Sequence, residues 1–358
     1  MALPDPAYRR YRDAYLRGEQ RHVRDHGDAL AVRLSADPAQ RGWVPAVVLM
    51  HGMVLAAADE LVPACDYLEQ GLAMLPGTDA VQEAGAGDDY ALALVQCELL
   101  LGRYDRALGR LTALEEPDRP VETRLGAIRA RALVAGTRGD DEQAHWLLNT
   151  ATNLAARLRS RFSMALVDAD RALVLAIGGR LHEGVRLADS VLGPLTRPGR
   201  GNHPAWAAAE AAAVALTLSR LTADRGDLAT AERMLLTGAA AADQVGRPLL
   251  DAHLDLAISV LWRQKGAHLQ AEPLLRDAVG DFVRLGCRPA AALGRVAEGH
   301  LAWARGMRSA AVPLYEQART EFSELGHRRD VAELTHLLRL AEAQGAPSRP
   351  PVAGGPAA

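Results

Sequence analysis

The chain has 358 residues and a formal net charge of −3 at neutral pH, from 41 basic and 44 acidic residues. This near balance gives no overall field that would attract a nucleic acid backbone or an anionic membrane, so neither is a predicted partner. Hydrophobic residues make up 49% of the chain but aromatic residues only 4%. Because Ala, Leu and Arg dominate, the composition favours helices over strands.

The cysteines and the apolar stretches also limit the class of protein. Cys65, Cys97 and Cys287 are far apart and outside any Cys-x-x-Cys pair, so neither a disulfide framework nor a structural zinc site is indicated. The first residues lack the basic region and apolar run of a secretion signal. The most apolar stretch, residues 44–58, is shorter than the ~20 residues that span a bilayer. We therefore expect a cytoplasmic protein.

The first predicted element is an N-terminal cap, residues 1–40. The segment from Tyr8 to Leu34 carries apolar side chains at helical spacing and is typical of one long helix or a helix pair. Such a segment can cover the exposed end of a stack of helices.

Seven similar units are predicted to follow, within residues 41–344. Glycines recur every forty residues in two registers, at 226, 266 and 306 and at 246, 286 and 326. The first register is followed five residues later by alanine, and the same pattern extends towards the N-terminus. The leading positions of the seven units are Asp59, Gly102, Gly139, Gly179, Gly226, Gly266 and Gly306. Since turns with positive φ favour glycine and close helix crossings need small side chains, each unit is predicted to contain two helices.

Prolines bear on where the second helices begin. Pro63, Pro273 and Pro313 each follow the leading position of a unit by four to seven residues. Because an interior proline disrupts a helix, we expect these residues in the first turn of the second helix.

The residues of these units resemble a known repeat family. The segment from Gly102 to Leu108 resembles the inter-helix turn of the tetratricopeptide repeat (TPR) family, and small residues in most units occupy the family's small positions. The forty-residue length is similar to that of the superhelical sensor domains of maltose-regulator-like bacterial activators. The resemblance implies an all-α fold, a right-handed superhelical α-solenoid of about seven helix-turn-helix repeats.

The same resemblance implies a binding surface on the concave face, lined by the first helix of each unit. Mapped residue by residue, the family's groove positions nominate Asp89, Gln96, Arg129, Arg220, Asp224, His253, Arg263, Gln264, His300 and Trp303. The set mixes both charges with histidine and tryptophan. It lacks the full Lys/Asn/Arg constellation with which some family members bind a C-terminal carboxylate, so chaperone-tail binding is not implied.

The sequence predicts no catalytic residue, no metal site and no cofactor. Phosphate-binding glycine loops, the zinc helix motif and the serine nucleophile elbow are all absent from it. A basic cluster is formed by Arg157, Arg159 and Arg161, and it is either ordinary surface charge or a binding site for phosphate or carboxylate groups. Residues 345–358 are rich in Pro, Gly and Ala, and a disordered tail is expected there.

These observations favour a scaffold or adaptor that binds a protein or peptide in the concave groove. One alternative is a ligand-sensing regulatory protein that lacks its own DNA-binding domain, for which saturable small-molecule binding would be diagnostic. Another is an accessory protein or enzyme of an actinobacterial specialised biosynthetic pathway. A homodimer formed through terminal repeats remains a further option.

Overall fold

The computed structural model describes residues 5–75, 87–196 and 204–345. These residues form seventeen α-helices and one short 3-10 helix, Arg41–Trp43, and contain no strand. The N-terminal pair is α1 (Pro6–Leu16) and α2 (Gln20–Ala36). The helix pairs of the seven units are α3 (Val44–Ala57) and α4 (Leu61–Met74), α5 (Gly87–Leu100) and α6 (Tyr104–Leu114), α7 (Val121–Arg138) and α8 (Asp141–Arg157), α9 (Arg161–Ile177) and α10 (Leu181–Thr196), α11 (Pro204–Asp224) and α12 (Leu228–Asp243), α13 (Pro248–Gln264) and α14 (His268–Arg284), and α15 (Arg288–Ala304) and α16 (Arg308–Leu325). A last helix, α17 (Arg328–Gly345), packs on the seventh unit. The all-α solenoid predicted from the sequence is confirmed.

The turn inside each unit has the backbone conformation that the glycine pattern predicts. All seven leading positions have positive φ, and at the first unit it is Asp59, with φ of 61°, that adopts the left-handed conformation. The second register, at residues 246, 286 and 326, has positive φ as well. Both turns of each C-terminal unit are therefore encoded by residue type.

Small residues allow the two helices of a unit to cross closely. A Cβ atom at Gly299 of α15 would lie 2.4 Å from the ring of Tyr315 on α16, and one at Gly238 of α12 would lie 2.7 Å from the Leu216 side chain on α11. Such separations are far below van der Waals contact, so only glycine fits at these crossings.

The prolines of the second helices differ from the prediction at two of three positions. Pro63 is the third residue of α4 and lies in the first turn, as predicted. Pro273 and Pro313 are each the sixth residue of their helix, because α14 and α16 begin only two residues after the turn glycine. Each removes one backbone hydrogen bond, and both prolines are exposed, where water can replace it.

The first helices form the inner layer of the solenoid. The first helices of neighbouring units contact one another from α3 to α15, whereas contacts between successive second helices are at most sparse. A stack in which one layer of helices is closer together than the other must curve towards the closer layer. The first helices therefore line the concave side.

The solenoid also closes on itself. The turns inside the first three units contact the loops that precede units six and seven and helix α17, at sequence separations of 188 to 223 residues for the hydrogen-bonded pairs. Three pairs define this contact, which we call the seam: Asp59 with Arg247, Tyr104 with His327, and Asp141 with Arg329. The Asp59 carboxylate also accepts a 2.9 Å hydrogen bond from the Leu249 backbone amide.

The N-terminal pair packs against the first unit. Tyr8, Tyr11 and Leu34 are buried in one cluster with Trp43 and with the apolar side chains of α3. In the described part of the chain, no helix is both long and apolar enough to cross a bilayer. The tail predicted to be disordered lies, from residue 346 on, outside the described residues.

Candidate functional site

Three consecutive first helices bring polar side chains together on the concave face. Asp224, at the end of α11, accepts a 2.5 Å hydrogen bond from Arg263 of α13. Arg220, one turn earlier on α11, lies 3.7 Å from the same carboxylate. One carboxylate therefore holds two guanidinium groups, one from its own helix and one from the next unit.

Two histidines lie beside this arginine pair, and both are kept neutral. Nδ1 of His300 on α15 is 2.8 Å from the hydroxyl of Tyr315, and the ring of His253 on α13 packs 4.8 Å from that of Phe282. The pKa of His300 is lowered to about 4, mainly by burial; the positive charge of Arg263 also lowers it, and the charge of Asp224 only partly offsets this effect. Burial and the charge of Arg220 likewise lower the pKa of His253 to about 4. At neutral pH both rings are uncharged, polar groups.

A cavity of about 240 Å³ opens next to the same residues. Its polar side is formed by side chains of α13 and α15, and its apolar side by the Trp303 ring and by Leu337 of α17. Arg308 lies over the Trp303 ring, with its guanidinium carbon 5.4 Å from the ring centre. The lining residues are Arg263, Gln264, His300, Trp303, Ala304, Tyr315 and Leu337. The cavity is thus a partly apolar pocket with polar groups and one charged group, Arg263, at one side.

Seven of the ten groove residues predicted from the sequence belong to α11, α13 and α15. They are Arg220, Asp224, His253, Arg263, Gln264, His300 and Trp303. Asp224 contacts both Arg220 and Arg263. The cavity is lined by Arg263, Gln264, His300 and Trp303. His253 belongs to the same group because the charge of Arg220 acts on its ring.

The remaining three lie elsewhere. Asp89 and Gln96 are exposed on α5. Arg129 of α7 is only 9% exposed and makes two hydrogen bonds, of 2.6 and 3.2 Å, to Asp170 of α9. Its guanidinium also lies 3.8 Å from Glu210 of α11. Arg129 therefore joins three first helices and is largely shielded from solvent.

Three residues that line the cavity, Ala304, Tyr315 and Leu337, were not among the sequence-predicted groove residues. Tyr315 is the bulky residue of its unit, a position that the family uses for core packing, yet its hydroxyl bonds His300. Leu337 lies on α17, beyond the last unit with a recognisable glycine turn. A family position predicts the direction of a side chain but not what the polar end of a large side chain reaches.

A second cavity, of about 350 Å³, lies at the junction of α8, α9 and α10. Arg159 and Arg161 of the predicted basic cluster line it, together with Ser160 and Asp168. None of the ten predicted groove residues lies there, and both arginines are exposed. Among the described residues, no group of three or more His, Cys, Asp or Glu side chains is placed to hold a metal ion.

Comparison with solved structures identifies the fold. The Rap conjugation gene regulator of plasmid pLS20, solved in complex with the Phr* peptide, matches with a TM-score of 0.63 at 11% identity over 83% of this chain and 78% of that chain. A Rap protein complexed with competence and sporulation factor matches with a TM-score of 0.54 at 12% identity over 94% and 96%. The fold is that of a TPR-like helical repeat. A tetratricopeptide repeat protein from Parabacteroides merdae matches at 15% identity over 82% and 97%, with a TM-score of 0.42.

The TPR-like helical-repeat fold predicted from the sequence is confirmed by the two Rap matches, but the similarity to maltose-regulator-like sensor domains is not supported. No known family profile matches the sequence, and no curated protein matches it significantly.

Proposed function

We propose that this TPR-like protein is a peptide-binding scaffold that holds its ligand against the inner surface of α11, α13 and α15. The observation that carries the proposal is the convergence of Arg220, Asp224, Arg263 and His300 beside an apolar pocket on the concave face. Polar groups that fix orientation next to an apolar pocket are the usual composition of a binding site.

The size of the pocket favours a peptide over a whole small molecule. Small-molecule sites usually enclose about 300–1,000 Å³, and this pocket has about 240 Å³. It can therefore accept one or two side chains, while the rest of an extended ligand lies along the first helices. The two Rap structures with TM-scores above 0.5 were solved with the Phr* peptide and with competence and sporulation factor, and the first of these supports a peptide as the ligand here.

The test is retention of peptides from a synthetic library by the immobilised protein, read by mass spectrometry. The variants Arg263→Gln and Trp303→Ala should lose most of the retained peptides, because they remove a polar anchor and an apolar wall of the pocket. Arg276→Gln is the matched control, since Arg276 is exposed on α14 and pairs with Glu272 on the same helix. Equal retention by all four proteins would contradict the proposal.

A further inference from the structure

The arginines of the groove have hydrogen-bonding capacity that the protein does not use. A guanidinium carries five N–H donors. Among the described residues, Arg263 donates only to Asp224, and Arg220 makes no hydrogen bond but lies 3.7 Å from that carboxylate. The Arg263 and Arg220 side chains are only 10% and 18% exposed. Most of these donors are thus available in a region that is largely shielded from water.

The local charge is positive at this end of the groove. Arg220 and Arg263 share the single carboxylate of Asp224, and Arg308 over Trp303 adds a third positive charge. Burial has the larger effect on the two histidines, but the arginines act in the same direction, so both stay neutral. An anionic ligand group would reduce this imbalance, and its attraction is strengthened by the limited access of water.

The first half of α11 adjoins a cluster with the reverse balance of charge. There Arg129 is shared between two carboxylates, Asp170 and Glu210. Glu210 and Arg220 are both on α11, ten residues apart, which separates their Cα atoms by about 15 Å along the helix. Because Asp170 and Arg129 are largely buried, Glu210, whose side chain is 23% exposed, is the acidic group of this cluster that a ligand along α11 can reach.

We propose that the basic end selects peptides that present a carboxylate next to an apolar side chain. The carboxylate binds Arg263 and Arg220, and the apolar side chain fills the pocket formed by Trp303, Tyr315 and Leu337. This inference rests on the proposed function and adds the chemical class of the ligand. A guanidinium pair suits a carboxylate because its planar donors match the two acceptor oxygens.

The neutral His300 ring completes the site. When Nδ1 accepts the hydrogen bond of the Tyr315 hydroxyl, the ring proton is on Nε2, which can donate to the ligand. The groups whose charges act on this ring are Arg220, Asp224 and Arg263. A bound carboxylate adds a negative charge to this set, so binding should raise the pKa of His300.

The experiment uses the full-length protein and two matched libraries of short synthetic peptides, one with amidated and one with free C-termini. The proposal predicts that retained amidated peptides are enriched in Asp or Glu beside Leu, Ile, Met or Phe. If peptides without an acidic side chain are retained only from the library with free C-termini, the C-terminus is the source of the carboxylate. Retained peptides that are neutral or basic in both libraries would overturn this inference while leaving the proposed function in place. If neither library is retained, both proposals fail.

Charge variants then test the assignment of the carboxylate with the best retained peptide and its Glu→Gln or amidated analogue. Arg263→Gln should weaken binding of the acidic peptide by about tenfold to a hundredfold, the effect expected for a lost hydrogen bond to a charged group. Asp224→Asn should strengthen it, because the competing carboxylate is removed. Equal effects of Arg263→Gln on the acidic peptide and on its neutral analogue would overturn the assignment. NMR titration of His300 provides an independent measurement, in which an unchanged or lowered pKa on binding would also overturn it.

Discussion

His253 and His300 lie inside the groove as neutral rings, although a free histidine is half protonated near pH 6.5. Their pKa values of about 4 in the folded protein mean that the unfolded chain binds more protons than the folded protein between about pH 4 and 6.5. The free energy of unfolding therefore decreases as the pH falls through this window, and it is insensitive to these two groups above it.

Replacement of His253 by Gln should reduce this acid sensitivity. The variant cannot gain a proton on unfolding, so its melting temperature should fall less than that of the wild type between neutral pH and about pH 4. His336→Gln provides the control, because it makes the same replacement at an exposed position of α17. Parallel curves for the wild type and His253→Gln would contradict the assignment of His253 as a buried neutral group.

The effect of the arginine charges on the pKa of His300 can also be tested with a single substitution. Arg263→Gln should raise the pKa of His300, because a positive charge that disfavours the imidazolium is removed. NMR titration of the histidine ring signals measures this change directly. Arg276→Gln, which alters an exposed charge on the outer helix α14, should leave the value where it is.

At the scale of elements, the close crossing of α15 and α16 connects the fold to the site. Tyr315 packs on the bare backbone at Gly299 and presents its hydroxyl to His300. A side chain at residue 299 would push the ring away, so the crossing determines both the spacing of the two helices and the position of a groove residue. The fold and the site share this contact.

Gly299→Ala should therefore destabilise the protein, by about 1–3 kcal/mol as for other overpacked sites. Gly280→Ala is a matched control, because a Cβ atom at that position of α14 meets nothing within 4 Å. The control should be neutral or more stable by up to about 1 kcal/mol, since alanine is the better helix former. Denaturant unfolding of both variants measures the difference, and equal values would show that the crossing can relax.

Much of this element-level structure could be predicted from the sequence, because its determinants are local. A positive φ and a close crossing each restrict a single position to glycine or another small residue, which is why turns such as Gly226, Gly266 and Gly306 were found. The prediction that Pro273 and Pro313 lie in the first turn puts the start of α14 and α16 too late. An exposed proline in the second turn destabilises a helix less than that prediction assumes. The hydroxyl of Tyr315 was missed because its ring occupies a core position.

At the scale of the whole molecule, the seam joins the first three units to the last ones. Asp59 is buried at 1% exposure and bonds both the Arg247 guanidinium and the Leu249 amide. No sequence pattern could predict these pairings, because they depend on the summed small rotations of five units, each too small to estimate from residue types.

Asp59→Asn should keep the left-handed turn, which asparagine tolerates, but remove the charge that binds Arg247. We expect a loss of about 2 kcal/mol in the free energy of unfolding. Asp189→Asn breaks an exposed ion pair with Arg233 and should change stability by less than about 1 kcal/mol. A comparable small effect of both substitutions would show that the seam contributes little.

The seam also has a consequence for how the chain is made. During synthesis the N-terminal units leave the ribosome first, and residues that face the seam, such as Leu101 and Tyr104, remain uncovered until Cys287 and His327 have been translated. Most helical-repeat proteins can fold unit by unit as they emerge, because each unit needs only its immediate neighbour. Here the nascent chain carries an unfinished apolar edge through most of its translation, and only the arrival of the last helices completes the fold of the first.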